Sequence, residues 1–79
     1  MEFDRDKVDE ATLALLWLTR FKDAGGVRAW KGHDWETMER LHSKDFISDP
    51  RGKQKSVALS AEGEQPSREL FAKYFTKNG

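Results

Sequence analysis

The chain has 79 residues, room for one domain over residues 1–79 whose core buries roughly 60–65% of the extended chain's surface. Its 14 basic and 14 acidic side chains cancel, which argues against a dedicated nucleic-acid coat protein, while nine aromatics argue against disorder. No cysteine is present, so no disulfide can supplement so small a core, and self-association is the natural alternative.

Met1-Glu2-Phe3-Asp4 is acidic and lacks the basic-then-apolar pattern of a secretory signal. The apolar run from Leu13 to Leu18 is too short to span a bilayer, so a cytoplasmic protein is expected. Charge is uneven along the chain: residues 1–10 sum to −3, residues 11–33 to +3, residues 34–45 to −2 and residues 46–60 to +2.

Asp4 or Asp6 can cap a first helix, with Asp9 and Glu10 near its positive end. Val8, Ala11, Leu15 and Leu18 recur at three- and four-residue spacing, which predicts the buried face. Leu13, Trp17 and Phe21 form a second stripe, expected either to contact a second copy or to lie beneath the last helix. Asp23-Ala24-Gly25-Gly26 should end this helix.

Val27 to Trp30 suits a short extended segment, followed by a turn at Lys31-Gly32-His33. Asp34 is a good cap for a second helix, Trp35 to about Asp45, with Trp35, Met38, Leu41 and His42 on one arc. Residues 46–60 read as an antiparallel hairpin. Asp49-Pro50-Arg51-Gly52 suits a type I turn, Val57 and Leu59 alternate with small polar or short residues, and Arg51, Lys53 and Lys55 make the tip basic. Ser60 caps a last helix in which Pro66 predicts a kink or a restart. Leu70, Phe71, Tyr74 and Phe75 supply its apolar face, and Thr76 to Gly79 should fray. All three tryptophans are expected to be mostly core.

The segment from Met38 to Ile47, then Arg51-Gly52-Lys53, then Val57 to Gly63 resembles the recognition helix, wing and following helix of MarR-type and PadR-type winged-helix repressors. Asp45-Phe46-Ile47 stands where those repressors have Gly-Leu-Ile, and Ser60 stands where they have threonine. The whole chain also resembles a family of small uncharacterised bacterial proteins, through Met1–Asp4, Val8–Ala11, Arg28–Gly32 and Leu41-His42. These elements make an α+β fold of three main helices and one β-hairpin, and the first resemblance implies a reduced winged-helix-like arrangement of them. It is reduced because residues 27–33 are too short to supply the helix that supports a recognition helix.

No catalytic constellation emerges. Ser43 adjoins His42, but neighbours on a helix point about 100° apart, and there is no nucleophile elbow or phosphate-binding loop. His33 and His42 are too far apart to share a metal, and no cofactor motif is present. The chain therefore reads as a non-catalytic binding or regulatory domain. The leading expectation is a self-associating module whose dimer contact is Leu13, Trp17 and Phe21. The alternative is a nucleic-acid-binding transcriptional regulator using Arg40, Ser43, Lys44, Arg51, Lys53 and Lys55.

Overall fold

The computed structural model describes residues 1–77. Three helices, α1 (Arg5–Leu18), α2 (Trp35–Ser43) and α3 (Ala61–Phe75), pack with three short strands, β1 (Phe21–Asp23), β2 (Gly26–Trp30) and β3 (Ser56–Ala58). The strands form one antiparallel sheet in the order β1-β2-β3, so the fold is α+β.

Asp4 caps α1 by accepting from the amides of Asp6 and Lys7. The helix stops at Leu18, well before the glycines. Phe21 to Asp23 instead pairs with Gly26 to Arg28, and Asp23-Ala24-Gly25-Gly26 is the turn of a two-residue-loop hairpin. Gly26 takes φ 124°, a conformation glycine adopts without penalty. The sheet therefore has three strands where one hairpin was expected.

The burial of α1 is the reverse of the predicted one. Asp9, Thr12, Leu13, Ala14 and Leu16 are buried, whereas Ala11, Leu15 and Leu18 face solvent and Val8 is half-buried. Leu13 and Leu16 join Ala29, Met38, Leu41, Ile47, Val57 and Leu59 in one core. The choice of face is explained by α3, which runs along the Glu10, Leu13 and Ala14 side of α1. Ser67 is fully buried there and donates to the Leu13 carbonyl at 2.7 Å, and the Tyr74 hydroxyl donates to Glu10 at 3.0 Å. Of the stripe begun by Leu13, Leu13 itself is thus buried within the chain, Trp17 is half-buried and Phe21 lies exposed in β1.

Asp34 caps α2 by accepting from the Thr37 amide and hydroxyl, and the hydrogen bonds to Thr37 hold its carboxyl below the ordinary value. α2 closes at Ser43, two residues early, on a left-handed residue. Asp45 sits at φ 65°, its amide donates to the His42 carbonyl and the Phe46 amide donates to the Leu41 carbonyl. This is a Schellman closure in which aspartate occupies the position usually given to glycine.

Residues 46–60 form less of a hairpin than predicted. Ile47 bridges Leu59, and the Ser48 amide reaches the Ala58 carbonyl at 2.9 Å, but β3 makes its ladder with β2. Ile47, Val57 and Leu59 do face the core. Residues 49–55 are a loop. Its turn at Asp49 is closed by the aspartate side chain accepting from the Arg51 amide, not by a type I turn bond. Lys31 ties the loop down, donating to the carbonyls of Pro50 at 2.7 Å and Gly52 at 2.9 Å.

Ser60 caps α3 through the Gly63 amide, and the helix runs without interruption through Pro66. Gly63 is required by packing: a β-carbon there would lie 2.7 Å from the Phe46 carbonyl carbon and closer still to its oxygen. Leu70 and Phe71 are half-buried, while Tyr74 and Phe75 are largely exposed. Trp30 and Trp35 are also exposed, contrary to their expected place in the core, because Trp30 falls on the outer side of β2 and Trp35 on the first residue of α2. Among the described residues no helix lies between α1 and α2; the β1–β2 hairpin stands there. The fraying expected at Asn78 and Gly79 falls outside the described residues.

Candidate functional site

Arg40 and Lys44, expected to face a DNA groove, turn instead toward α1. The Arg40 guanidinium meets the Asp9 carboxylate through Nε at 2.8 and 3.1 Å and Nη2 at 2.7 Å, and Lys44 Nζ adds a contact at 2.9 Å. Burial pushes the Asp9 carboxyl up, but the hydrogen bonds from Arg40 and Lys44 outweigh it and leave the group below its ordinary value. Both cations are raised, first by their hydrogen bonds to Asp9. The cluster is a clamp between α1 and α2. It borders a groove of about 580 Å³ between α1 and α3 whose other walls include Leu13, Phe46, Pro66 and Leu70. Nothing in it pairs a nucleophile with a base.

His42 Nδ1 is 3.0 Å from the Ile47 carbonyl at the exit of α2, and burial lowers the pKa of His33. Among the described residues, no three His, Asp or Glu side chains gather as a metal site. No described helix is long and apolar enough to cross a membrane.

Two surfaces remain. The first is the outer face of α1. Val8, Ala11, Leu15 and Leu18 follow the three-four-three spacing of a coiled-coil seam, with Leu15 37% and Leu18 60% exposed. Of the trio predicted as a dimer contact, Leu13 is in the core, Phe21 is in β1 and Trp17 is half-buried.

The second is the outer face of the sheet. Ala29 and Val57 pair on the inner face and are fully buried, so the alternation sends Phe21, Arg28, Trp30 and Ser56 outward. Phe21 and Trp30 are diagonal neighbours with ring centroids 6.2 Å apart, and Trp30 is 52% exposed. Arg28 lies opposite Phe21, held by Ser56 Oγ, the Ser56 carbonyl and Gln54 Oε1 at 2.6–2.9 Å. The Lys31 amide bonds the Lys55 carbonyl, which joins the loop of exposed Arg51, Lys53 and Lys55 to the end of β2 beside Trp30. At the other edge Trp17, Arg20 and Phe21 line one cleft, with the Arg20 guanidinium 3.9 Å from the Trp17 ring. Ser43 is exposed on α2 but stands apart from this sheet. Phe21, Arg28 and Trp30 were not identified as one site from the sequence. The signal was the hairpin turn at Ala24-Gly25, which sets the register.

The chain is 51% identical over 77 residues to a protein of Sinorhizobium fredii named Uncharacterized protein y4hR, covering 98% of this chain and all of that protein. No solved structure matches. Residues 4–77 match the family described as a domain of unknown function, DUF6429, and the chain belongs to that family.

Proposed function

We propose that the protein is a small non-catalytic interaction module that self-associates through the outer face of α1. The observation that carries this reading is the seam of Val8, Ala11, Leu15 and Leu18, in which Val8 is half-buried and Ala11, Leu15 and Leu18 are exposed. Contiguous apolar surface on a small domain generally marks an interface. The occupant is a second copy, because charge favours it. In an antiparallel pairing, Val8 lies opposite the second copy's Leu18 and Ala11 opposite its Leu15. The same register sets the charged first turns of one α1, residues 5–10, alongside the uncharged last turns of the other and keeps the two charged ends apart. The two helix dipoles then oppose each other favourably as well. A parallel pairing would stack like charges instead. Small Ala11 at the middle allows close approach.

Sedimentation equilibrium tests the reading. The wild-type chain should approach twice its 9.1 kDa as concentration rises, and Leu18→Glu should remain a folded monomer with an unchanged far-ultraviolet spectrum. A wild-type chain that stays monomeric at high micromolar concentration contradicts it. Leu13→Glu is not an equivalent test, since it places a charge in the core.

A further inference from the structure

The sheet's outer face turns away from α1, whose inner face it meets in the core, so it stays open whether or not two copies associate. We infer that this face, with the basic loop beside it, binds single-stranded nucleic acid, stacking bases on Phe21 and Trp30.

Three observations lead there. First, charge is segregated. Residues 19–32 and 46–60, which hold the whole sheet and its loop, contain seven of the fourteen basic side chains and two of the fourteen acidic ones. The remainder of the chain holds seven basic and twelve acidic residues. A net charge of zero therefore conceals a cationic layer beneath an anionic helical one, and the partner of the cationic layer is a polyanion.

Second, the cationic layer displays aromatic rings. An acidic peptide would satisfy the charges but has no need of two exposed rings. A single strand uses both, because every base has a flat face to stack and every linkage a phosphate. Third, Arg28 is held beside Phe21 and Trp30 by three hydrogen bonds, so its charge is fixed before any ligand arrives. With its donors turned onto Ser56 and Gln54 it supplies field to a backbone, and base-edge reading is not its role. Duplex DNA is disfavoured on shape. The strands are three to five residues long, the face is shallow, and α2, the helix whose sequence resembles a recognition helix, has Arg40 and Lys44 occupied by Asp9.

The strand would run across Phe21 and Trp30 toward Arg51, Lys53 and Lys55. This use of the basic residues differs from a winged helix, in which a wing grips a duplex already read by a helix.

The test is fluorescence titration of the full chain with oligodeoxythymidine, the matching duplex, and polyglutamate of equal charge. The expected result is tryptophan quenching with the single strand, and binding to it at least tenfold tighter than to either competitor. The logarithm of affinity should fall against log salt with a slope near −3, from about four phosphate contacts at ~0.7 each. Trp30→Leu and Phe21→Ala should each weaken binding about tenfold, while Trp30→Tyr, which keeps a flat ring, should restore most of it. Leu18→Glu should bind with little change, which separates this inference from the self-association reading. Should Trp30→Leu fail to fold, Phe21→Ala and the wild-type quench decide the matter. Equal binding of polyglutamate, preference for duplex, unchanged affinity in the ring variants, or no binding at low salt would each overturn the inference.

Discussion

Replacing Asp9 by asparagine should cost the fold about 2 kcal/mol, and the structure supplies the reasoning. The carboxylate side chain is 3% exposed and receives the Arg40 guanidinium on both oxygens, with Lys44 on one. A charged hydrogen bond contributes about 1.5–3 kcal/mol net, and breaking a buried ion pair costs about 3–5 kcal/mol. Arg40 and Lys44 are 27% and 39% exposed, however, so both can turn to water, and asparagine retains one acceptor. These effects lower the figure to about 2 kcal/mol. At ~4–8 °C per kcal/mol for a domain of this size, the melting temperature should fall by roughly 8–16 °C at pH 7. Acid supplies a second reading. The folded carboxyl lies below its ordinary value of 3.8, so its contribution is complete above that pH and is lost as pH falls through the folded value. The gap between wild type and Asp9→Asn should therefore close as the solution is acidified. Circular dichroism melts across pH measure both effects. A loss under about 0.5 kcal/mol at neutral pH, or a gap that widens in acid, would refute the clamp.

Gly63→Ala drives a methyl into the Phe46 carbonyl and should cost at least ~2 kcal/mol in urea denaturation, because the clash is with backbone that must shift as a unit. Asp45→Gly should act in the opposite sense, gaining about 0.5–1 kcal/mol by relieving the left-handed conformation at the end of α2. The Asp45 bond to Ser60 runs through its main-chain carbonyl and survives that change.

Much of the element order was legible in local chemistry. Asp4, Asp34 and Ser60 each announced a helix start, and each accepts amide bonds as its residue type predicts. Alternation placed Val57 and Leu59 on the inner side of the sheet. Two of the features that sequence cannot supply are long-range ones. Spacing favours the longer stripe of α1 as its buried face, yet periodicity cannot tell which of two apolar stripes meets the core. Ser67 decided that, since its bond to the Leu13 carbonyl couples residues 54 apart in sequence. The clamp also escaped, because Asp9 sits in the first turns of α1, where an acid already has a local explanation in the helix dipole. Its partners lie 31 and 35 residues away. The resemblance to winged-helix repressors was carried by residues that build the α2 exit and the β3–α3 junction. Asp45, which stands where those repressors have glycine, takes the left-handed position that closes α2, so helix closure accounts for that residue here.

The proposed self-association depends on which face of α1 meets its copy, and cysteine crosslinking measures that directly. The chain has no native cysteine, so each introduced thiol reports alone. A disulfide requires α-carbons about 4.4–6.8 Å apart, which limits crosslinking to residues that truly oppose each other. Mixing the Ala11→Cys and Leu15→Cys variants under mild oxidation should yield a covalent dimer near twice 9.1 kDa, joined between positions 11 and 15. Glu36→Cys, on the exposed side of α2, should remain monomeric. Crosslinking at Glu36→Cys equal to that of the mixture, or no covalent dimer from the mixture, would contradict an antiparallel contact along α1.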